Sequence, residues 1–298
     1  MDVAMAFPFL QLLFNSLIIG SIYALVAAGF SLIYSTNKFI HFGHGASVVL
    51  AGYLLFGLFT KLHVPFAIAC LLCIALTALA GWGMYQFVYV PLQRRKSSTV
   101  ILLIGSIALL ILIENLILLF AGADVKTIGL VAVARGLEIG GAIITPLQIV
   151  LIGSSIVILL GLFLLMNKTT LGRNLRAVAN NRELSEIMGL NSKRLIAISF
   201  IIGSALAGIA GILISLEQNL EPSMGTNLMI KGFSGSIIGG ILSVPGSIVG
   251  SYIIGIAENF GTWYLPSGYK DAITFSLLFL FLLFRPMGIF GVDKGVRQ

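Results

Sequence analysis

Charge is scarce in this chain. Asp, Glu, Lys and Arg make up 10% of its 298 residues, whereas 58% are hydrophobic. A soluble domain carries about 25% charged residues, and the mean hydropathy of +1.06 points the same way. So few charges cannot clothe a water-soluble fold of this size, so lipid is the solvent for most of the chain. Long polar stretches are missing too. The longest, Asn167–Arg194, is itself partly apolar, which leaves no room for a second, soluble domain. One membrane domain over residues 1–298 is expected. Cysteine is limited to Cys70 and Cys73, inside an apolar run. With no second pair and no polar partner nearby, they read as small apolar side chains, and no metal site is expected. The sequence also lacks GxxxxGK[ST], GxSxG and HExxH. Without a phosphate cradle of that type the chain is not expected to hydrolyse ATP by itself. Met1–Pro8 has no basic start and no small-residue cleavage site, so the first apolar run reads as a retained anchor.

What is present is a series of long apolar runs. About 20 residues of helix cross the hydrocarbon core. Seven runs qualify, at about 9–34, 42–60, 65–90, 99–120, 143–166, 195–216 and 270–290. The fold class expected is therefore an all-α polytopic membrane protein. The stretch 226–257 differs. It is rich in glycine, and its centre reads GGILSVPG with Pro245. Broken backbone at membrane depth survives only when packed in protein or lining a cavity. Two short helices forming a hairpin are predicted there.

Basic residues set the orientation. The loops around 35–41, 91–98 and 167–194 and the tail after Phe284 hold 13 of the 18 Lys and Arg residues. Lys61, Lys126, Arg135, Lys231 and Lys270 fall on the other side. The rich side should be cytoplasmic, which places the N-terminus outside and the C-terminus inside. The net charge of +7 is then a topology signal and implies no nucleic acid partner. Small residues recur at packing spacing: Gly20, Ala24 and Ala28; Ser204 and Gly208; Gly246 and Gly250. Ile18–Ser21 also echoes Ile201–Ser204, on helices expected to run in opposite directions. That suits an inverted repeat or a chance match.

Two groups of polar residues invite function. The first is Thr170–Asn191, read as one amphipathic helix from Gly172 to Gly189, about 172–190. Leu175, Val178, Ala179, Ile187 and Met188 supply its apolar contacts. It either lies on lipid or docks a cytoplasmic partner. The second is the ionisable set in or near the spans. Glu114, beside Asn115, is costly in hydrocarbon and needs a partner helix or a cavity. Glu258 caps the hairpin or lines its outer mouth. Glu217, Glu221 and Lys231 read as charges near the outer surface, either solvated or in contact with a binding protein.

Several motifs together resemble one family. They are Asn15 with Gly20-Ser21-Ile22-Tyr23-Ala24-Leu25; Ile40-His41-Phe42-Gly43-His44-Gly45; and the Thr170–Asn191 segment followed by Phe200–Gly211. Pro222–Gly225, Lys231-Gly232-Phe233, Gly239-Gly240, Pro245-Gly246 and Arg285–Gly291 continue the match. In this order they resemble the permease subunit of bacterial branched-chain amino acid ABC importers, the first-permease type of the pair. The resemblance implies a multi-pass protein of the bacterial cytoplasmic (inner) membrane. It implies a second permease subunit, two ATPase subunits that use ATP and Mg, and a substrate-binding protein. No cofactor is expected on this chain itself. It further implies that the segment near Gly189 couples to the ATPase, with Arg176, Ala177, Asn181, Glu186 and Gly189 as the contact. His44, Glu114, Asn115, Gly239 and Gly240 are the candidate pathway or gate residues. For His44 the other reading is a buried hydrogen-bonding imidazole at a helix start. His41 and Gly43 depart from the family's usual Asn and Ala. Branched-chain or other small neutral amino acids are the leading cargo, carried along a mostly apolar path. Urea or short amides are the alternative, and an ATP-independent channel or carrier is a lesser one.

Overall fold

A computed structural model describes residues 3–129 and 136–291 of the chain. Arg135, Lys294 and Arg297, counted above in the charge asymmetry, lie outside the described residues. Among the described residues, seven helices are long and apolar enough to cross a membrane, and an eighth element is a helix pair bent at a break. The number and placement of the spans follow the apolar runs.

Helix α1 (Val3–Asn37) is 35 residues long, about 52 Å at 1.5 Å per residue. It runs through the middle of the bundle, and Ile22, Ala24, Leu25, Ala28, Leu32 and Ile33 are fully buried. Helix α2 (Gly43–Leu55) continues as a π-helical turn to Lys61. Helix α3 (Phe66–Gly83) passes through a second π-turn, Met84–Tyr89, into α4 (Val90–Arg94). Helix α5 (Thr99–Ala121) follows. A small hairpin, β1 (Leu137–Ile139) and β2 (Ala142–Ile144), turns at Gly140-Gly141. Both glycines have positive φ, 60° and 85°, the geometry a two-residue turn demands. The fifth span was expected to begin at 143, but α6 (Pro146–Lys168) starts later. Thr145 and Gln148 form a reciprocal capping box there, with Pro146 in the first turn, a strong start signal.

Beyond α7 (Thr170–Asn180) and α8 (Arg182–Ile187), α9 (Ser192–Glu217) runs antiparallel to α1. Thr36 bonds Ser199 at 2.8 Å near one end, and Gly29 and Gly203 meet backbone to backbone further along. The echoed segments thus run in opposite directions. Ser204 and Gly208 form the seam with α3, against Gly81 and Thr77.

The glycine-rich stretch is a hairpin, as predicted. Helices α10 (Met224–Gly239) and α11 (Val244–Gly261) are bent by 116° at the break. Gly240 has φ +110°, and the Ser243 hydroxyl caps α11 by accepting from Gly246 N–H. Gly235 lies against Ser251, and Gly239 packs on the backbone of Gly246 and Gly250. A Cβ on Gly239 would overlap the Gly246 carbonyl. Gly239→Val should therefore cost about 1–3 kcal/mol or more through overpacking, read as a lowered unfolding midpoint of the detergent-solubilised chain.

Helix α12 (Lys270–Phe284) ends the bundle. Its span was expected to reach 290. It stops at Phe284 because Pro286 disfavours helix in the residue before it, and Arg285 has left helical geometry at φ −141°. The tail turns back onto the hairpin tip, with Ile289 and Phe290 N–H donating to the Ile238 and Gly239 carbonyls.

The bundle has two distinct ends. At the basic end Asn37 accepts from Gln93 and the hairpin tip lies near Arg176 and Phe290. At the opposite end Gln148 donates to Glu217 and Lys126 pairs with Leu220. The hairpin spans the distance between them.

Candidate functional site

The basic end carries the expected coupling segment. It is two helices, where one was expected. Asn181 is extended at φ −153°, and its side-chain oxygen accepts from Leu184 N–H, so it ends α7 and caps α8. An Asn in this role stabilises a helix start more than it would a helix interior. Leu175 and Val178 anchor α7 inward. Gly189 closes α8 at φ +84°. Its N–H donates to Glu186 and that of Leu190 to Ser185, the paired bonds of a glycine-terminated helix. Of the residues implied for coupling, Arg176, Asn181, Glu186 and Gly189 are exposed and Ala177 is half-buried. Arg182 bonds Glu186 at 3.1 Å, and that hydrogen bond holds the Glu186 carboxyl below its usual range.

The apolar contacts expected inside this segment divide. Ile187 and Met188 point outward, 81% and 75% exposed, with Leu184 beside them. An apolar patch on a polar helix tip marks a contact surface. Behind α7 lies a cavity of about 280 Å³ lined by Ser35, Met166, Arg176, Ser243, Pro245 and Phe290. The α7 helix therefore adjoins the hairpin tip.

The opposite end holds a charged cavity of about 430 Å³. Lys231 was expected on a solvated surface. Instead it sits within α10, 6% exposed, and its Nζ lies 2.5 Å from Glu258 Oε1 and 2.6 Å from Asp271 Oδ1. Glu258, on α11, is 1% exposed. Tyr23 donates to its Oε2 at 3.0 Å, and Thr274 donates to its Oε1. Helices α1, α10, α11 and α12 thus converge on one buried carboxylate. The choice left open for Glu258 is decided for the cavity lining. Glu221, Asn219, Asn227 and Lys270 complete the walls. A charge this deep costs several kcal/mol of desolvation unless paired, so Lys231 and Glu258 depend on each other. The cavity is not apolar.

The five pathway candidates are not brought together, and none of them lines either cavity. Glu114 accepts from Thr226 N–H at 3.0 Å and Thr226 Oγ1 at 2.8 Å, tying α5 to α10. Asn115 is exposed and donates to its own helix at Ile111. His44 is fully buried, with Nε2 3.1 Å from the Val26 carbonyl. Gly239 and Gly240 form the hairpin tip. For Glu114→Ala we expect a loss of about 1–3 kcal/mol, because Thr226 is left without its acceptor. Glu114→Gln, which keeps one oxygen, should cost less, and a chemical unfolding series separates the two.

The two departures around His44 are linked. His41 Nδ1 lies 2.7 Å from Tyr89 Oη, and its ring centroid 5.0 Å from that of Phe200. A Cβ on Gly43 would come 2.7 Å from His41 Cε1. The imidazole at 41 occupies the space that a methyl at 43 would need.

Sequence reasoning missed the Lys231–Glu258–Asp271 constellation. The available signal was two opposite charges, 27 residues apart, in an otherwise apolar hairpin.

The fold is that of a polytopic membrane protein, a helical bundle whose broken hairpin runs from the α7–α8 segment to a charged cavity. The family described as the branched-chain amino acid transport system permease component matches residues 12–283, and the chain belongs to it. It is 33% identical to the high-affinity branched-chain amino acid transport system permease protein BraD of Pseudomonas aeruginosa, over 96% of each chain. It is 32% identical to the corresponding LivH of Escherichia coli, over 95% of this chain and 96% of that one. The solved structure of PsaBC from Streptococcus pneumoniae in complex with Fab has the same fold. Its TM-score is 0.51 at 14% identity, over 92% of this chain and 91% of the other.

Proposed function

We propose that this chain is the translocating subunit of an ATP-driven importer of branched-chain or other small neutral amino acids. It pairs with a second permease subunit, two ATPase subunits bind at its basic end, and a binding protein delivers substrate at the other. This fixes the basic end, with the C-terminus, as cytoplasmic and the N-terminus as outside, in a bacterial inner membrane. ATP and Mg act on the ATPase partners, and this chain holds no cofactor and catalyses no reaction itself.

The observation that carries the reading is the course of the α10–α11 hairpin. Its tip lies beside Arg176, and its walls bear Lys231 and Glu258 in the far cavity. ATPase movement at Arg176, Ala177, Asn181, Glu186 and Gly189 would shift α7, then the tip at Gly239-Gly240, and then the cavity walls. In this scheme His44 sits at the gate, where Gly29 and Gly203 bring α1 and α9 close, and Glu114 and Asn115 flank the route. Copurification tests the assembly. An ATPase pair retained by the tagged chain, and lost when Ile187 and Met188 are both replaced by Asp, is the expected result. Retention unaffected by those changes contradicts the docking surface.

A further inference from the structure

The charged cavity contains more than helix packing requires. The buried Lys231–Glu258 pair alone would satisfy both charges. Yet Lys231 also binds Asp271, and the two carboxylates differ. Glu258 is held by Tyr23 and Thr274 as well. Asp271 has a side chain 72% exposed, and Lys231 is its only ion-pair partner among the described residues. An exposed ion pair is screened by water and exchanges easily, whereas a buried one does not. Lys231 therefore has one fixed partner and one replaceable partner, and the replaceable one faces the cavity.

We propose that the cavity reads the zwitterionic backbone of a neutral α-amino acid. The substrate carboxylate takes the place of Asp271 on the Lys231 ammonium, and the freed Asp271 carboxylate takes the substrate ammonium. One ion pair is broken and two are made, and the zwitterion adds no net charge to the site. The substrate side chain lies along Ile19, Ile214, Met224 and Leu228, the apolar part of the lining. The volume of about 430 Å³ falls in the range of roughly 300–1,000 Å³ usual for small-molecule sites. The same exchange removes the Lys231–Asp271 link between α10 and α12 at the mouth and leaves the Lys231–Thr274 hydrogen bond beneath it. This inference rests on the transport reading above and deepens it.

The test uses the assembled transporter, purified without its binding protein and titrated with radiolabelled leucine. Saturable binding is expected, displaced by other neutral α-amino acids. Leucinamide, which lacks the carboxylate, and 4-methylpentanoate, which lacks the ammonium, should not displace it. Asp271→Asn should weaken leucine about tenfold, the loss of one charge-assisted contact, and Asp271→Glu should restore part of it. Equal displacement by either analogue overturns the proposal, as does unchanged affinity in Asp271→Asn or absence of saturable binding to the wild-type complex. ATP-driven leucine uptake with the binding protein is measured on the same preparation. Uptake without zwitterion-selective binding defeats this inference alone; a wild-type complex that takes up no leucine defeats the transport reading.

Discussion

Lys231→Met is expected to destabilise the folded chain by about 3–5 kcal/mol, the cost of leaving a buried carboxylate without its cation. Methionine fills much of the lysine stem's volume, so packing loss is small and the deficit is electrostatic. Glu258 would keep Tyr23 and Thr274 as neutral donors, which lessens but does not cancel the penalty. Glu258→Gln alone strands the lysine, although Asp271 remains beside it, so its cost should be smaller. The double variant Lys231→Met/Glu258→Gln should recover most of the lost stability, since no buried charge remains. Unfolding midpoints of the four proteins in detergent form a double-mutant cycle. Costs that simply add would mean that the two charges do not support each other.

Gly189→Trp is expected to leave the bundle folded and to reduce ATP-driven uptake at least about tenfold, the effect of roughly 1.4 kcal/mol lost at the docking contact. Two terms must be separated. The first is backbone strain: φ is +84°, where an L-residue pays about 1–2 kcal/mol. The second is bulk. No atom lies within 4 Å of a Cβ placed there, so the indole projects from the tip of α8 beside Ile187 and Met188. Gly189→Ala carries the strain with little bulk. Uptake well above that of Gly189→Trp in the alanine variant, at equal membrane abundance, assigns the defect to docking. Equal defects in both would assign it to the loop's conformation.

The spans were legible because hydrophobic length is a local property, and the hairpin because Gly239-Gly240 and Pro245 break any helix through them. The end of α12 was legible too, in Pro286, but apolar residues beyond it mask the stop. The division of α7 from α8 depends on whether Asn181 folds its side chain onto Leu184 N–H, a local competition that periodicity does not register. The charged cavity was hidden for a different reason. Lys231, Glu258, Asp271 and Tyr23 come from four helices, and only the bend of the hairpin brings them together. A lysine beside Gly232 in the sequence resembles a surface residue until its partners are placed. The motif Ile40–Gly45 pointed to His44, yet the compensation between His41 and Gly43 emerged only from the distance between them.

Under the proposed function this chain supplies a path and its basic end receives the drive. Leucine uptake into proteoliposomes holding the chain with its second permease and ATPase pair, supplied with the binding protein, tests it most directly. Uptake that requires ATP and Mg on the ATPase side, and is lost when the ATPase pair is omitted, is the predicted result. Robust uptake by this chain alone, without ATP, would contradict it.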